Sequence, residues 1–255
     1  MSAMFDVVDA YCHCGLTKYR PIGDVKRVME RFEVSRKVLV QHLGEYDNTY
    51  IQNIVAVEPG RFAGVLLVDV DDPAAGDQLD RWAASNAFRG IRLLARSLAT
   101  HSGIWEQAAG LGLVFVIYDE PTLASYTEQL ATFAVQHPAT PLVLSHLGMP
   151  DRVEAPGFPS HGKIMSLATR SNVFVQISGM HMFAKPPYDE LVPLIAQLVE
   201  CFGPNRLVYG SNYPVMKDDA VYEAEQDLVR TGRLGVPLEA VEQVMGGTAR
   251  QLWFD

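Results

Sequence analysis

The residues of this chain that can do chemistry are gathered at recurring places. Four of its seven histidines, His13, His42, His146 and His181, fall at or just after the ends of short apolar runs. The first run closes in Asp9-Ala-Tyr11-Cys-His13, the second in Gln41-His42, the fourth carries Arg92 and the fifth closes in Tyr118-Asp119. Ser145-His146 end the sixth, Ser178 ends the seventh with His181 just beyond, and Ser211-Asn212 end the eighth. Imidazole and phenol groups such as His13, His146 and Tyr11 can donate hydrogen bonds to a carbonyl oxygen as it gains negative charge. The planar fork of Arg92 matches a substrate carboxylate, with a salt bridge that braces the scaffold as the competing reading. For each histidine the competing reading is a structural hydrogen bond at the rim. Asn212 can donate and accept, but an amide takes no proton near neutral pH. Cys12 and Cys14 alternate with His13 and so face the opposite side, and Asp9, inside its run, reads as a brace.

Something must hold these groups at one end of the molecule, and the apolar runs supply it. Eight are present, at 5–11, 37–41, 61–69, 88–94, 112–119, 141–146, 172–178 and 206–211, each with the near-continuous hydrophobicity of a strand covered on both faces. Between them lie helical patterns at 24–32, 74–85, 103–111, 122–136 and 188–202, with apolar residues returning every three to four positions. Strand then helix, repeated eight times, predicts an α/β fold: a single (β/α)₈ TIM barrel occupying 1–255 as one domain. A doubly wound open sheet is the alternative, but no Gly-x-Gly-x-x-Gly turn follows the first run. In a barrel the site lies at the C-terminal ends of the strands, where the polar residues above fall. The Pro- and Gly-rich stretch 149–162 after the sixth run suits a lid or a substrate-contacting loop.

Composition narrows the partners. The 255 residues are 48% hydrophobic with a formal net charge of -9, and the basic residues are scattered, so nucleic acid has no electrostatic footprint. No apolar stretch reaches the ~18 residues of a membrane span, and the N-terminus lacks a leader pattern. With three cysteines that match neither a disulfide framework nor a zinc pattern, the expectation is a cytoplasmic protein acting on a small-molecule substrate. Neither a membrane nor nucleic acid is expected as a partner, and a homo-oligomer is compatible with the sequence.

Three segments resemble one known family. VVDAYCHCG is similar to the first-strand Asp-Ala-His-x-His motif of the amidohydrolase superfamily, LVLSHLGMPD to its His-Leu-Gly-x-Pro strand end, and LVYGSNYPV to its last-strand Gly-Ser-Asp-x-Pro. FRGIRLL, VLVQ and the C-terminal GGTARQLW fit the amidohydrolase-related branch that contains metal-independent lactonases and some decarboxylases. The resemblance spans the chain and implies a barrel enzyme, but the superfamily's metal ligands are mostly replaced. Tyr11 stands for the first histidine, Arg92 is the fourth-strand residue, Tyr118 closes the fifth strand and Asn212 replaces the aspartate, leaving His13 and His146. A catalytic divalent metal takes at least three protein ligands, so no metal and no other cofactor is expected.

The resemblance implies a metal-independent hydrolase of a small lactone or similar cyclic ester or amide, carrying a carboxylate. His13, His146, Asn212 and Tyr11 form the expected catalytic set, and His42, Arg92, Tyr118, Ser178 and His181 the substrate-binding set. In metal-independent lactonases the last-strand aspartate activates water, and Asn212 leaves that step to His42, His181 or Asp119, or to no base at all. Two alternatives stay open: a decarboxylase or other lyase acting on an unsaturated or aromatic acid, and a ligand-binding or biosynthetic protein without the general base.

Overall fold

The structure, a computed structural model, describes residues 5–216 and 218–255. All eight apolar runs are strands: β1 (Val7–Cys12), β2 (Val34–Val40), β3 (Phe62–Leu66), β4 (Phe88–Leu94), β5 (Val114–Tyr118), β6 (Leu142–Leu144), β7 (Val173–Ile177) and β8 (Leu207–Tyr209). They form one parallel sheet in the order β1 to β8, the arrangement of a (β/α)₈ barrel. The seam between β8 and β1 is joined by individual bonds, with His13 N–H donating to the Tyr213 carbonyl at 2.7 Å and Asn212 N–H to that of Tyr11 at 2.9 Å. Gly210 sits on this seam because a Cβ there would stand 2.7 Å from the Cβ of Tyr11.

Alternation along each strand sorts residues by size. Compact β-branched side chains, among them Val8, Val38, Val40, Val65, Val114, Val116, Val143 and Val208, fill the barrel's interior, where little room is available. Larger groups on the outer face, such as Leu39, Phe62, Ile91, Phe115 and Ile177, pack under the surrounding helices. Ala249 and Trp253 of the last helix, Thr248–Trp253, close the N-terminal end of the barrel against those valines. The helices expected at 24–32, 74–85 and 103–111 span Ile22–Arg31, Ala75–Ala83 and Ser102–Gly110. Those expected at 122–136 and 188–202 each open with a 3₁₀ turn before Thr127–Gln136 and Val192–Phe202. Of two further helices, Thr49–Val57 packs on β3 and Asp219–Arg230 brings Tyr222 against Asp9 of β1 and Lys37 of β2. No helix among the described residues is long and apolar enough to cross a membrane.

Two departures from regular pairing shape the first two strands. β2 begins at Val34, three residues before its apolar run, and carries one extra residue opposite Val7–Val8. β1 then carries one extra residue against Lys37–Leu39, so that Asp9 to Cys12 spans three steps where β2 spans two. That bulge leaves Ala10 and Tyr11 both with the interior set and Cys12 with the outer core. On the outer face Asp9 meets Lys37 at 2.7 Å, both without solvent exposure. Asp9 also accepts from the Ser211 amide and hydroxyl and the Tyr222 hydroxyl, while the Lys37 ammonium lies 4.7 Å from the Tyr222 ring centroid. Burial works against the charge on Lys37, but Asp9 and the other groups around the ammonium together keep the lysine pKa above its ordinary value. Asp9 is thus a brace between strands and helix.

Candidate active site

Because the bulge turns Tyr11 inward and His13 follows two residues later, β1 presents both rings to the mouth of the barrel. His13 Nδ1 lies 2.6 Å from the Val40 carbonyl, which can only accept, so the neutral ring carries its proton on Nδ1 and leaves Nε2 as a bare acceptor. Tyr11 packs edge-on between two imidazoles, 5.1 Å from His13 and 4.6 Å from His146. Its hydroxyl is buried, as is that of Ser145, and neither has a hydrogen-bond partner among the described residues. Tyr11 thus meets both imidazoles with its ring, while its hydroxyl lies buried beside that of Ser145.

β6 ends in a tight left-handed turn, with His146, Leu147, Gly148 and Met149 all at positive φ. Such backbone is costly for non-glycine residues and persists where its surroundings hold it. Here His146 Nδ1 pairs with the Ser178 hydroxyl at 3.0 Å, and Gly179 leaves space for the ring, since a Cβ there would sit 2.7 Å from that nitrogen. Burial first, and then the neighbouring Arg92, press the pKa of His146 well below the ordinary histidine value. The same two causes lower that of His13 to about 3, so both rings are neutral near pH 7.

Arg92 is the centre of charge. It is 6% exposed, and its guanidinium carbon lies 5.1 Å from the Tyr118 ring centroid and 5.8 Å from that of Tyr11. It donates to the Gln41 carbonyl at 3.2 Å, while its Nε has no partner and no carboxylate approaches within salt-bridge distance among the described residues. The bracing salt bridge considered for it is not found. Arg92 also lines a cleft of about 500 Å³ between the loops after β2, β3 and β4, with Tyr46, Asp69, Asp71 and Thr100 around it.

The other expected residues divide. Tyr118 meets His146 edge-on at 5.9 Å, with its hydroxyl donating outward to Glu120 at 2.7 Å. His42 joins the group through Tyr19, which stacks face to face on His13 at 4.8 Å and meets His42 at 5.2 Å. Asn212, itself in the left-handed region, donates its amide to Met182 Sδ at 3.7 Å. His181 lies on the turn Met180–Met182 beside that contact and pairs with Glu225. Asp119 is fully buried and accepts from the Arg96 amide and guanidinium and the Glu120 amide. Cys12 and Cys14 lie in the outer core, and burial pushes the Cys12 thiol up to about 12. Tyr19 and Glu225 are the site-proximal residues the sequence reading missed: one is in an irregular loop, the other on a helix whose buried face carries no marker.

Among the described residues, no three His, Cys, Asp or Glu side chains are grouped so as to hold a metal ion. The two imidazoles of His13 and His146 share their space with a guanidinium and an amide, a donor set that does not fit a catalytic divalent cation. What the arrangement can do is bind an anion at Arg92 and address a neighbouring polar bond with imidazole groups of fixed orientation.

The comparisons with known proteins agree with this frame. An L-fucono-1,5-lactonase from Burkholderia ambifaria is 28% identical over 209 residues, covering 78% of this chain and 72% of that protein. A solved structure from Pseudomonas putida, described as a 2-pyrone-4,6-dicarboxylic acid hydrolase, superposes with a TM-score of 0.79 at 21% identity, covering 98% of each chain. A 2,6-dihydroxybenzoate decarboxylase from Rhizobium superposes with a TM-score of 0.73 at 14% identity, also covering 98% of each chain. At these identities the two structures establish a shared barrel. The sequence profile of the Amidohydro_2 family matches residues 17–254, and the chain belongs to that family of amidohydrolases.

Proposed function

We propose that this enzyme hydrolyses a small lactone, or a similar cyclic ester or amide, that carries a carboxylate, and that it does so without a catalytic metal. The observation that carries the reading is Arg92, a buried guanidinium with no carboxylate partner among the described residues, beside two neutral imidazoles. A buried cation left unpaired is costly, and a substrate anion is the group that would offset it. With the Ser178 hydroxyl donating to His146 Nδ1, His146 presents Nε2–H to the carbonyl oxygen as it becomes an oxyanion. A donor placed in so enclosed a site costs little reorganisation when the charge develops. Asn212 then serves as a neutral group that orients water or a substrate hydroxyl. The lactonase relative supports the hydrolytic reading, and the adjoining cleft offers room for the non-reacting part of a substrate.

The test is a panel of carboxylate-bearing lactones, uncharged sugar lactones and aromatic acids, assayed on chelator-treated enzyme with product mass and carbon dioxide release recorded. Ring opening of a carboxylate-bearing lactone, unaffected by the chelator, is the expected result. Carbon dioxide release from an acid would replace this reading with a decarboxylase, and activity that vanishes with the chelator and returns with zinc or manganese would end the metal-independent part.

A further inference from the structure

The remaining question for such a hydrolysis is which group takes the proton of the attacking water, since Asn212 cannot. His13 has a bare Nε2, but the imidazolium it would become lies in the field of Arg92, which together with burial holds it neutral. His146 lies in the same field. A second carboxylate is present where no motif signals it. Glu225, on the helix Asp219–Arg230 that follows β8, is 1% exposed and accepts from the Tyr188 hydroxyl at 2.7 Å. The same oxygen lies 3.3 Å from His181 Nδ1. The other carboxylate oxygen of Glu225 and Nε2 of His181 are both buried without a partner among the described residues.

Two contacts place the turn that carries His181 beside the site. Met182, next to His181, accepts from the Asn212 side chain, and Gly179, two residues before His181, is packed against the His146 ring. We infer that Glu225 and His181 form the general-base pair of this enzyme, in a reading that rests on the lactone hydrolysis proposed above. Glu225 holds the Nδ1–H tautomer and leaves Nε2 as the acceptor. As water adds to the lactone carbonyl, its proton passes to Nε2 and its oxygen forms the new C–O bond. The C=O electron pair becomes the oxyanion. When the tetrahedral species collapses, the bond to the ring oxygen breaks and that oxygen takes the proton from His181. The product is a hydroxy acid, which loses its acidic proton to solvent. Glu225 is a positioning residue here, and its charge balances the imidazolium, as the carboxylate does in a Ser-His-Asp triad. Nε2 is enclosed, so the turn Met180–Met182 must shift with substrate for water to reach it.

The experiment has two arms on the full chain. Steady-state kinetics of His181→Gln and Glu225→Gln, on the lactone best opened in the panel, should show kcat lowered by about 10²–10⁴-fold with KM within about threefold. Free imidazole should restore part of the kcat of His181→Gly. Nitrogen NMR of histidine-labelled wild type, assigned with His181→Gln, should show the single proton of the neutral His181 ring on Nδ1, and Glu225→Gln should shift its nitrogen resonances. Wild-type kcat retained by both Gln variants would overturn the pair while leaving the lactonase reading intact. A proton on Nε2 in the wild type would overturn it whether or not any lactone is opened. If no lactone is turned over, the hydrolase reading fails separately, and the tautomer alone decides whether His181 is held as an acceptor.

Discussion

Replacing Arg92 by Met separates substrate binding from scaffold, because the side chain is buried with one hydrogen bond and no carboxylate partner among the described residues. Met keeps an unbranched apolar stem but lacks the charge and the fork. On the stability side, the lost bond to the Gln41 carbonyl, at 3.2 Å, is a single hydrogen bond from a charged donor, worth about 1.5–3 kcal/mol. Against it, the folded state no longer has to bury an unpaired guanidinium, a cost of the same order or larger. The two terms oppose each other, so Tm should move by no more than about 4 °C for a chain of this size. On the binding side nothing offsets the loss. A charge-assisted pair with a carboxylate is worth about 1.5–3 kcal/mol, which at ~1.4 kcal/mol per decade raises Kd by about 10- to 150-fold. Calorimetric titration with a carboxylate-bearing lactone or its product, beside the methyl ester of the same ligand, measures this directly, with thermal unfolding in parallel. The ester should bind both proteins alike. An unchanged Kd for the acid, together with a Tm lowered by about 10 °C or more, would refute the reasoning and return Arg92 to the scaffold.

Lys37→Met should be damaging although Lys37 has no place in the chemistry: it leaves the Asp9 carboxylate uncompensated in the outer core and should cost about 3–5 kcal/mol in urea unfolding. Asp9→Asn in the same chain should recover much of that loss, and a near-neutral single variant would show that the Ser211 and Tyr222 bonds suffice for Asp9. His13 gives a prediction about pH. Its folded pKa of about 3 lies below the ordinary 6.5, so the unfolded chain binds the extra proton first. The stability that the neutral ring contributes is therefore complete above pH 6.5 and is lost as pH falls from there toward 3. His13→Gln should flatten the fall in urea midpoint between pH 7 and 4, and identical pH slopes in the two proteins would contradict the buried neutral ring.

The barrel itself was legible because its signal is repetitive: eight apolar runs, each closed by polar residues, leave few other ways to cover both faces of a sheet. The residues at the strand ends were legible for the same reason, and the structure gathers His13, Tyr11, His146, Arg92, Tyr118 and Ser178 around one another. Orientation was not legible. Whether Tyr11 offers its hydroxyl or its ring depends on a bulge that no composition marks, and the proton of His13 is fixed by a carbonyl 27 residues away. β2 read as starting at Lys37 because Ser35 and Arg36 are polar, whereas the strand begins at Val34 and Lys37 itself is fully buried by its pairing with Asp9. Glu225 was invisible because one acid on an amphipathic helix looks like any other until its neighbours are known.

The bulge in β1 also makes this part of the chain unequal in its tolerance of insertions and deletions. Asp9 pairs with Lys37 and Cys12 with Leu39, so β1 holds one residue more than a regular ladder needs at that point. Removing Ala10 would restore simple alternation, move Tyr11 into the place Ala10 holds, and keep His13 inward and both thiols outward. Removing Cys12 instead would bring His13 next to Tyr11 in register and reverse the facing of everything after it, turning the imidazole into the helix layer. β2 has its extra residue at the other end, opposite Val7–Val8, and past it a lost residue such as Leu39 meets no such slack. Natural length variation in barrels of this kind should therefore collect at Ala10 and at Ser35, while the few residues between Tyr11 and His13 keep a fixed count.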